Sequence, residues 1–407
     1  MLQTPLTDKS ILLAVTGSIA AFKAADLASK LAQAGAQVDV ILTEAAQEFV
    51  TPLTFRSVTG GEVYTDEDLW GAEGHILHIG LVETADLMVI APATANTLAR
   101  LAHGMADNLL SLAALAARCP LLAAPAMDGG MWKHPATQAN VETLTARGVH
   151  ISGPASGHLA SGQTGAGRML EPAELVARIR HLLSAGGPLD GVRIVVSAGG
   201  TQEPLDPVRM LTNRSSGKQG FALAQAALDL GAEVTLIAAP TGLDAPYGAR
   251  RVDVRTAEEM LAAVEAACKE ADALVMAAAV ADFRPEAVSD QKIKKDAGVP
   301  EIRLERAPDI LASIGAERGK GNSLNVIVGF AAESEGLIEN AQAKLRNKNL
   351  DLIVANDIGA ADAGFEVDTN RVTLLFADGR AESLPVMGKD EVAARVMEEI
   401  TLLIEGR

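Results

Sequence analysis

Twice along the chain the same order recurs: an apolar run, a turn of small and polar residues, a helical pattern closed by glycine, and a second apolar run. The first copy is ILLAVTG (11–17), SIAAFKAADLASKLAQAG and AQVDVILT. The second is VRIVVSAG from Val192, the loop DPVRMLTNRSSGKQG (206–220), the helix GFALAQAALDLG and AEVTLIAAP. A strand that is apolar at every position is buried on both faces, and parallel sheets covered by helices provide that burial. Gly35 and Gly231 close the two helices, a normal stop two to three residues before the next strand. Each copy is a βαβ unit.

Further strand candidates are LMVIAPA (87–93), PLLAAPA (120–126), ALVMAAAV (273–280), VIVGFAA (326–332) and DLIVAND (351–357), mostly separated by helical stretches. The chain therefore reads as α/β, with two doubly wound Rossmann-like domains. The boundary falls near SAGGPLDGVR (184–193), dividing the chain into 1–188 and 189–407. RVTLLFADGRAESL, from Arg371, reads as a late hairpin around Asp378-Gly379.

At 407 residues the chain has room for two cores, and 48% hydrophobic with 3% aromatic residues suits helix-covered parallel sheets. A net charge of −17 argues against a general nucleic-acid surface, although a local cationic cluster can still hold a small anion. Two cysteines, Cys119 and Cys268, make no disulfide framework, so a reducing compartment is expected. With no basic-then-apolar leader and no apolar run approaching 18 residues, the reading is a soluble cytoplasmic protein without a membrane partner.

The turn VTGSIAAFK lacks GxGxxG spacing, which speaks against a generic nicotinamide oxidoreductase. Its amides and the Ser18 hydroxyl can still hold one phosphate at a helix N-terminus. Thr43, ending the next strand, shares that sheet edge. Three more stretches add specificity: APATANTLARLAHGMADNLL (91–110), PAMDGGMWKHPATQ (125–138) and ASGQTGAGRM (160–169). With HIGLVETADL (78–87), they resemble the flavin-dependent cysteine decarboxylases, specifically phosphopantothenoylcysteine decarboxylase.

That resemblance implies a flavodoxin-like domain binding FMN through Gly17, Ser18, Thr43, Thr94, Ala95, Asn96 and Thr97. It makes His78 the catalytic histidine; His75 reads as a surface or loop residue. Met127 and Asp128, in the PAMN-type loop, face the substrate carboxylate. The chemistry needs a flavin because a cysteinyl carboxylate has no electron sink. Oxidising its CH2–SH to a thioaldehyde creates one, decarboxylation follows, and the resulting enethiol is reduced back to a thiol. The chain departs from the family pattern twice. Asp128 replaces the common asparagine, placing a carboxylate where a carboxylate must bind. Ser161 replaces the cysteine that supplies the last proton, and a hydroxyl is a far weaker acid than a thiol. The alternative these departures leave open is a flavin-binding but non-decarboxylating, regulatory or scaffold domain.

The second half carries SAGGTQEPLDPVRMLTNRSSGKQG, AAAVADFRP (277–285), QKIKK (291–295), RAPDIL (306–311), GFAAES (329–334) and KLRNKNLDLIVAND (344–357). SSGKQG lacks GxxxxGK spacing and is not a P-loop. In this order the six pieces resemble phosphopantothenate–cysteine ligase, with a ribokinase/Rossmann-like domain. Both halves together follow the order of the bacterial bifunctional coenzyme A biosynthesis proteins. The resemblance implies activation of 4'-phosphopantothenate by CTP to an acyl-cytidylate, displacement of CMP by cysteine, and then decarboxylation of 4'-phosphopantothenoylcysteine. Arg209, Ser215, Ser216 and Gly217 would face substrate anions. Asn213 would assist conversion of the cytidylate, and Lys292 would neutralise the α-phosphate. Ala278, Ala279, Asp282, Lys292, Pro308, Asp309, Ile310, Leu311, Phe330, Lys344 and Lys348 would bind CTP, the backbone of the 277–282 turn reading cytosine. Mg2+ accompanies the triphosphate, without assigned protein ligands. The family also implies a homo-oligomer with trimeric decarboxylase and dimeric ligase contacts.

Overall fold

Alternation along the apolar runs sends successive side chains into different cores. The computed structural model describes residues 4–70, 74–160, 162–294, 301–319, 323–333, 337–357 and 368–406. The chain separates into two compact units, one ending at Leu183 and the other beginning at Ser184.

The first unit holds one parallel sheet of β1 (Ser10–Val15), β2 (Gln37–Leu42), β3 (Val63–Thr65), β4 (Leu87–Ala93), β5 (Leu121–Pro125) and β6 (His150–Ile151). A hairpin of β7 (Ala155–His158) and β8 (Thr164–Arg168) follows. The helices are α1 (Ala21–Gln33), α2 (Glu44–Gln47), α3 (Pro52–Thr59), α4 (Gly74–Glu83), α5 (Ala95–His103), α6 (Leu109–Ala116), α7 (Gly129–Lys133), α8 (Pro135–Ala146) and α9 (Pro172–Leu183). Sheet order is β3-β2-β1-β4-β5-β6, a doubly wound arrangement whose direction reverses between β1 and β4. Ile11, Leu13 and Val15 enter a core with Leu27, Leu31 and Ile179 of α1 and α9. Leu12 and Ala14 enter the opposite core with Leu98, Leu109 and Ala113 of α5 and α6. Two-faced burial is therefore a property of individual strands.

In the second unit the strands are β9 (Arg193–Ala198), β10 (Gln202–Pro204), β11 (Met210–Thr212), β12 (Glu233–Ala238), β13 (Arg250–Asp253), β14 (Ala273–Met276), β15 (Phe283–Pro285), β16 (Leu304–Arg306) and β17 (Val326–Glu333). Then come β18 (Leu352–Asp357), β19 (Thr369–Asn370), β20 (Val372–Phe376), β21 (Ala381–Ser383) and β22 (Met387–Gly388). The helices are α10 (Lys218–Asp229), α11 (Ala257–Cys268), α12 (Ile310–Glu317), α13 (Leu337–Asn347) and α14 (Lys389–Glu405). An eight-stranded sheet runs β13-β12-β9-β14-β17-β18-β20-β21. Its first six strands repeat the parallel winding, while β20 and β21 are the antiparallel hairpin read around Asp378-Gly379. Ile194, Val196 and Ala198 face one core and Val195 the other.

Three local readings change. The stretch 273–280 is strand only to Met276, because the next amides turn toward the end of β9: Ala278 N–H bonds Ser197 Oγ (3.1 Å) and Ala279 N–H bonds the Gly199 carbonyl (2.8 Å). The loop 206–220 contains β11, paired antiparallel to β10. His75 has helical backbone, within α4, rather than lying in a loop. Among the described residues no helix is long and apolar enough to cross a membrane.

Gly220 sets the approach of α10 to β9. A Cβ there would lie 2.5 Å from Ala198 Cβ and 2.8 Å from the Ser197 carbonyl oxygen, atoms fixed in a central strand. Gly220→Ala is expected to destabilise the second unit by about 1–3 kcal/mol, by overpacking. Urea unfolding followed on that unit checks this; an unchanged midpoint would show that the helix moves away freely.

Candidate functional sites at the two sheet rims

In a doubly wound sheet the loops leaving adjacent central strands part in opposite directions, opening a crevice at the carboxyl edge. In the first unit a cleft of about 570 Å³ occupies that place. It is lined by Thr16, Gly17 and Ser18 after β1, Thr43, Glu44 and Ala45 after β2, and Thr94, Ala95, Asn96 and Thr97 after β4. Asp66, Arg100, Asp107, Asn108, Ala126, Met127 and Met131 complete the wall. The seven residues assigned to the flavin from the sequence thus come together, with Met127 beside them.

Hydroxyls build this rim. Buried Thr16 Oγ1 donates to the Pro92 carbonyl (2.7 Å) and accepts from Thr94 N–H (3.2 Å), tying the β1 turn to the β4 turn. Thr94 Oγ1 caps α5 by accepting from Thr97 N–H (3.3 Å), and Thr43 Oγ1 caps α2 in the same way from Ala46 N–H (3.3 Å). Gly17 is forced by close approach, since a Cβ would stand 2.5 Å from Ala45 Cβ. Bare backbone, threonine hydroxyls and the N-terminus of α5 suit a phosphate-bearing planar cofactor.

The sequence reading missed Thr16, Asp66, Arg100, Asp107 and Asn108. Thr16 was legible as the residue leaving an all-apolar strand. Asp66 was not: it reaches the site because its Oδ1 accepts from Leu109 N–H (2.8 Å), 43 positions away.

His78 does not line the cleft. It sits half-buried on α4, which packs against α6 and residues 66–70, and its buried Nδ1 has no hydrogen-bond partner among the described residues. Asp128 also lies outside the lining. It caps α7, its Oδ1 accepting from Gly130 N–H (2.8 Å), a role asparagine fills equally well. The substitution therefore leaves the helix start intact and changes the charge. Met127 N–H bonds the Gly167 carbonyl (2.9 Å), joining this loop to the hairpin whose turn carries position 161. Ser161 itself lies outside the described residues. Cys268 is buried on α11, and burial pushes its thiol up to about 12. Cys119 precedes β5, at the amino edge of the sheet opposite the cleft, and burial also raises its thiol.

At the second rim β9 and β14 are laced together. Thr201 Oγ1 accepts from Ala281 N–H (2.9 Å) and Thr201 N–H donates to the Ala279 carbonyl (3.3 Å). With Ala278 and Ala279 bound as above, three amides of the 277–282 turn are engaged within the protein. Asn213 Nδ2 donates to the Val280 carbonyl (3.0 Å), bringing the 206–220 loop onto this turn. The Asp282 carbonyl accepts from Ala307 N–H (2.9 Å) and brings in the 308–311 stretch. Asp309 caps α12 and pairs with Lys348 (2.9 Å), and Lys344 lies one turn earlier on α13. Ile310 is buried, Leu311 packs toward Gly329, and Phe330 is half-buried on β17. Ser215 and Ser216 accept from the Gly217 and Lys218 amides at 3.4 and 3.5 Å, shaping the start of α10.

Arg209, read from the sequence as an anion ligand, also has partners within the protein. Its Nη1 is directed to Asp206 Oδ2 (3.3 Å) and to the Ile293 carbonyl (3.2 Å), so the guanidinium braces the segment carrying exposed Lys292.

Both units have the doubly wound α/β fold of nucleotide-binding domains. Residues 2–184 match the flavoprotein family, and residues 189–403 match the DNA/pantothenate metabolism flavoprotein C-terminal domain. The coenzyme A biosynthesis bifunctional protein CoaBC of Bacillus subtilis is 44% identical over 98% of each chain. Its counterpart from Vibrio cholerae is 45% identical over 97% of this chain and 98% of its own. A crystal structure of the C-terminal domain of such a protein shares 39% identity, covering 55% of this chain and all of its own, with a TM-score of 0.47. The chain belongs to the bifunctional coenzyme A biosynthesis proteins, which join a phosphopantothenoylcysteine decarboxylase to a phosphopantothenate–cysteine ligase.

Partial burial pushes the Asp309 carboxyl up, but Lys348, the Ala312 amide and Lys344 outweigh it and hold the group below its ordinary range. A depressed carboxyl stabilises the fold fully above the unfolded value and loses that contribution as pH falls through the folded one. With about half of Asp309 exposed (51%), the pair contributes roughly 0.2–1 kcal/mol. Asp309→Asn should therefore lower the urea midpoint slightly at neutral pH, with the difference narrowing below about pH 4. A difference that widens on acidification would contradict the assignment.

Proposed function

We propose that the two rims divide one sequence of reactions: the second joins 4'-phosphopantothenate to cysteine using CTP, and the first decarboxylates the product to 4'-phosphopantetheine with FMN. The observation that carries this reading is the gathering, at each switch point, of segments far apart in sequence: 16–18 with 94–97, and 213 with 278–282 and 307–311.

At the second rim a carboxylate, a phosphate and a triphosphate must share one place in an acidic protein. Lys292 offsets charge on the α-phosphate as the substrate carboxylate attacks, and Lys344 and Lys348 serve the nucleotide's other phosphates. Asn213, held on the Val280 carbonyl, orients the acyl-cytidylate for the cysteine amine. Mg2+ enters with the triphosphate.

At the first rim the Gly17 cradle and the capped start of α5 fit the phosphate of FMN, which supplies the electron sink the cysteinyl carboxylate lacks. His78, whose buried Nδ1 has no hydrogen-bond partner among the described residues, handles a proton of the substrate. A second reading, a flavin-binding unit that no longer decarboxylates, is favoured by Ser161 and Asp128 together. The family's oligomer, trimeric through the first unit and dimeric through the second, and a cytoplasmic location belong to the same proposal.

One mixture of phosphopantothenate, cysteine, CTP and Mg2+, followed for pyrophosphate, CO2 and phosphopantetheine, tests both halves. The expected result is stoichiometric release of all three. Lys292→Gln should abolish pyrophosphate release, and Asn213→Asp should slow passage of the cytidylate onward. A yellow protein that ligates without releasing CO2 would select the second reading, and normal ligation by folded Lys292→Gln would remove that lysine from the mechanism.

A further inference from the structure

Asp206 opens the 206–220 loop, yet its side chain is 0% exposed. Its Oδ1 accepts from the Val208 and Arg209 amides, both at 2.8 Å, an ordinary local turn. The other oxygen does something a turn does not require. Asp206 Oδ2 accepts from Ile293 N–H (3.1 Å), 87 positions away, and from Arg209 Nη1 (3.3 Å), which also donates to the Ile293 carbonyl (3.2 Å). Both backbone groups of Ile293 are thus gripped by one ion pair. Ser289 N–H adds a bond to the Leu205 carbonyl (3.0 Å), fastening the same two segments four residues earlier.

We propose that Asp206 is a positioning residue for ligation: with Arg209 it clamps Ile293 and so fixes the adjacent Lys292 for the nucleotide. The inference rests on the reading of Lys292 above. Burial pushes the Asp206 carboxyl up, but the amides of Val208, Ile293 and Arg209, with the guanidinium, hold it below the usual range. The clamp is therefore ionised at neutral pH. An amide in its place has only one acceptor oxygen, and its NH2 must oppose either the local amides or that of Ile293.

The test uses the full-length protein and two readouts, one of them independent of chemistry. In Asp206→Asn, trypsin cleavage after Lys292 and Lys294 should accelerate, because exposure of a backbone segment governs its proteolysis. The maximal rate of pyrophosphate release should fall by roughly tenfold to a hundredfold, the scale of a misplaced catalytic group. CO2 release from supplied phosphopantothenoylcysteine should match the parent protein. Arg209→Gln, which keeps the buried carboxylate and its amide partners, should accelerate the same cleavages to a smaller extent and remains informative if Asp206→Asn does not fold. Unchanged cleavage in the folded variants overturns the clamp, and accelerated cleavage with an undiminished rate overturns its positioning role. Lys292→Gln measured alongside separates the two levels: if it ligates normally the Lys292 reading fails, while the cleavage pattern still judges the clamp.

Discussion

Burial of both faces of a parallel sheet is the constraint from which the rest follows. Strands such as β4, buried at every residue, leave no face on which a polar ligand can sit. Helices cover the sides, so chemistry is confined to the rim where the loops diverge. Both units meet this constraint with the same winding, and both gather their polar side chains at the same topological point. The net charge of −17 leaves room for local groups suited to an anion: amides, hydroxyls and capped helix starts at the first rim, and lysines at the second.

Much of this was legible in the sequence because the determinants are short-range. Runs without alternation announced two-faced strands, Gly35 and Gly231 marked helix ends (their φ values are 93° and 92°), and DG at 378–379 marked the hairpin. The gathering of Gly17, Ser18, Thr43 and Thr94 to Thr97 in one cleft follows from their places just after β1, β2 and β4, while their assignment to a flavin came from the family resemblance.

What was not legible depends on distant partners. Arg209 reads as an anion ligand, and its contact with Ile293, 84 positions away, was not visible beside that reading. The 277–282 turn reads as backbone that meets cytosine, and the bonds from its amides to Ser197, Gly199 and Thr201 depend on the neighbouring strand. Asp128 reads as an electrostatic conflict, whereas its Oδ1 serves as a helix cap and only its charge is new. For Arg209 and the 277–282 turn the residue type was visible and the long-range neighbour was not, while the Asp128 cap closes on Gly130, two residues on.

The central claim is that each carboxyl-edge crevice is a nucleotide site. The most direct measurement is a crystal structure of the protein with FMN and CTP. The account predicts flavin phosphate against the Gly17-Ser18 turn and Thr94 to Thr97, with the cytidine triphosphate between the 278–282 turn, Lys292 and Lys348. Electron density for either nucleotide on a helix-covered face or at the amino edge of a sheet, with its rim empty, would contradict it.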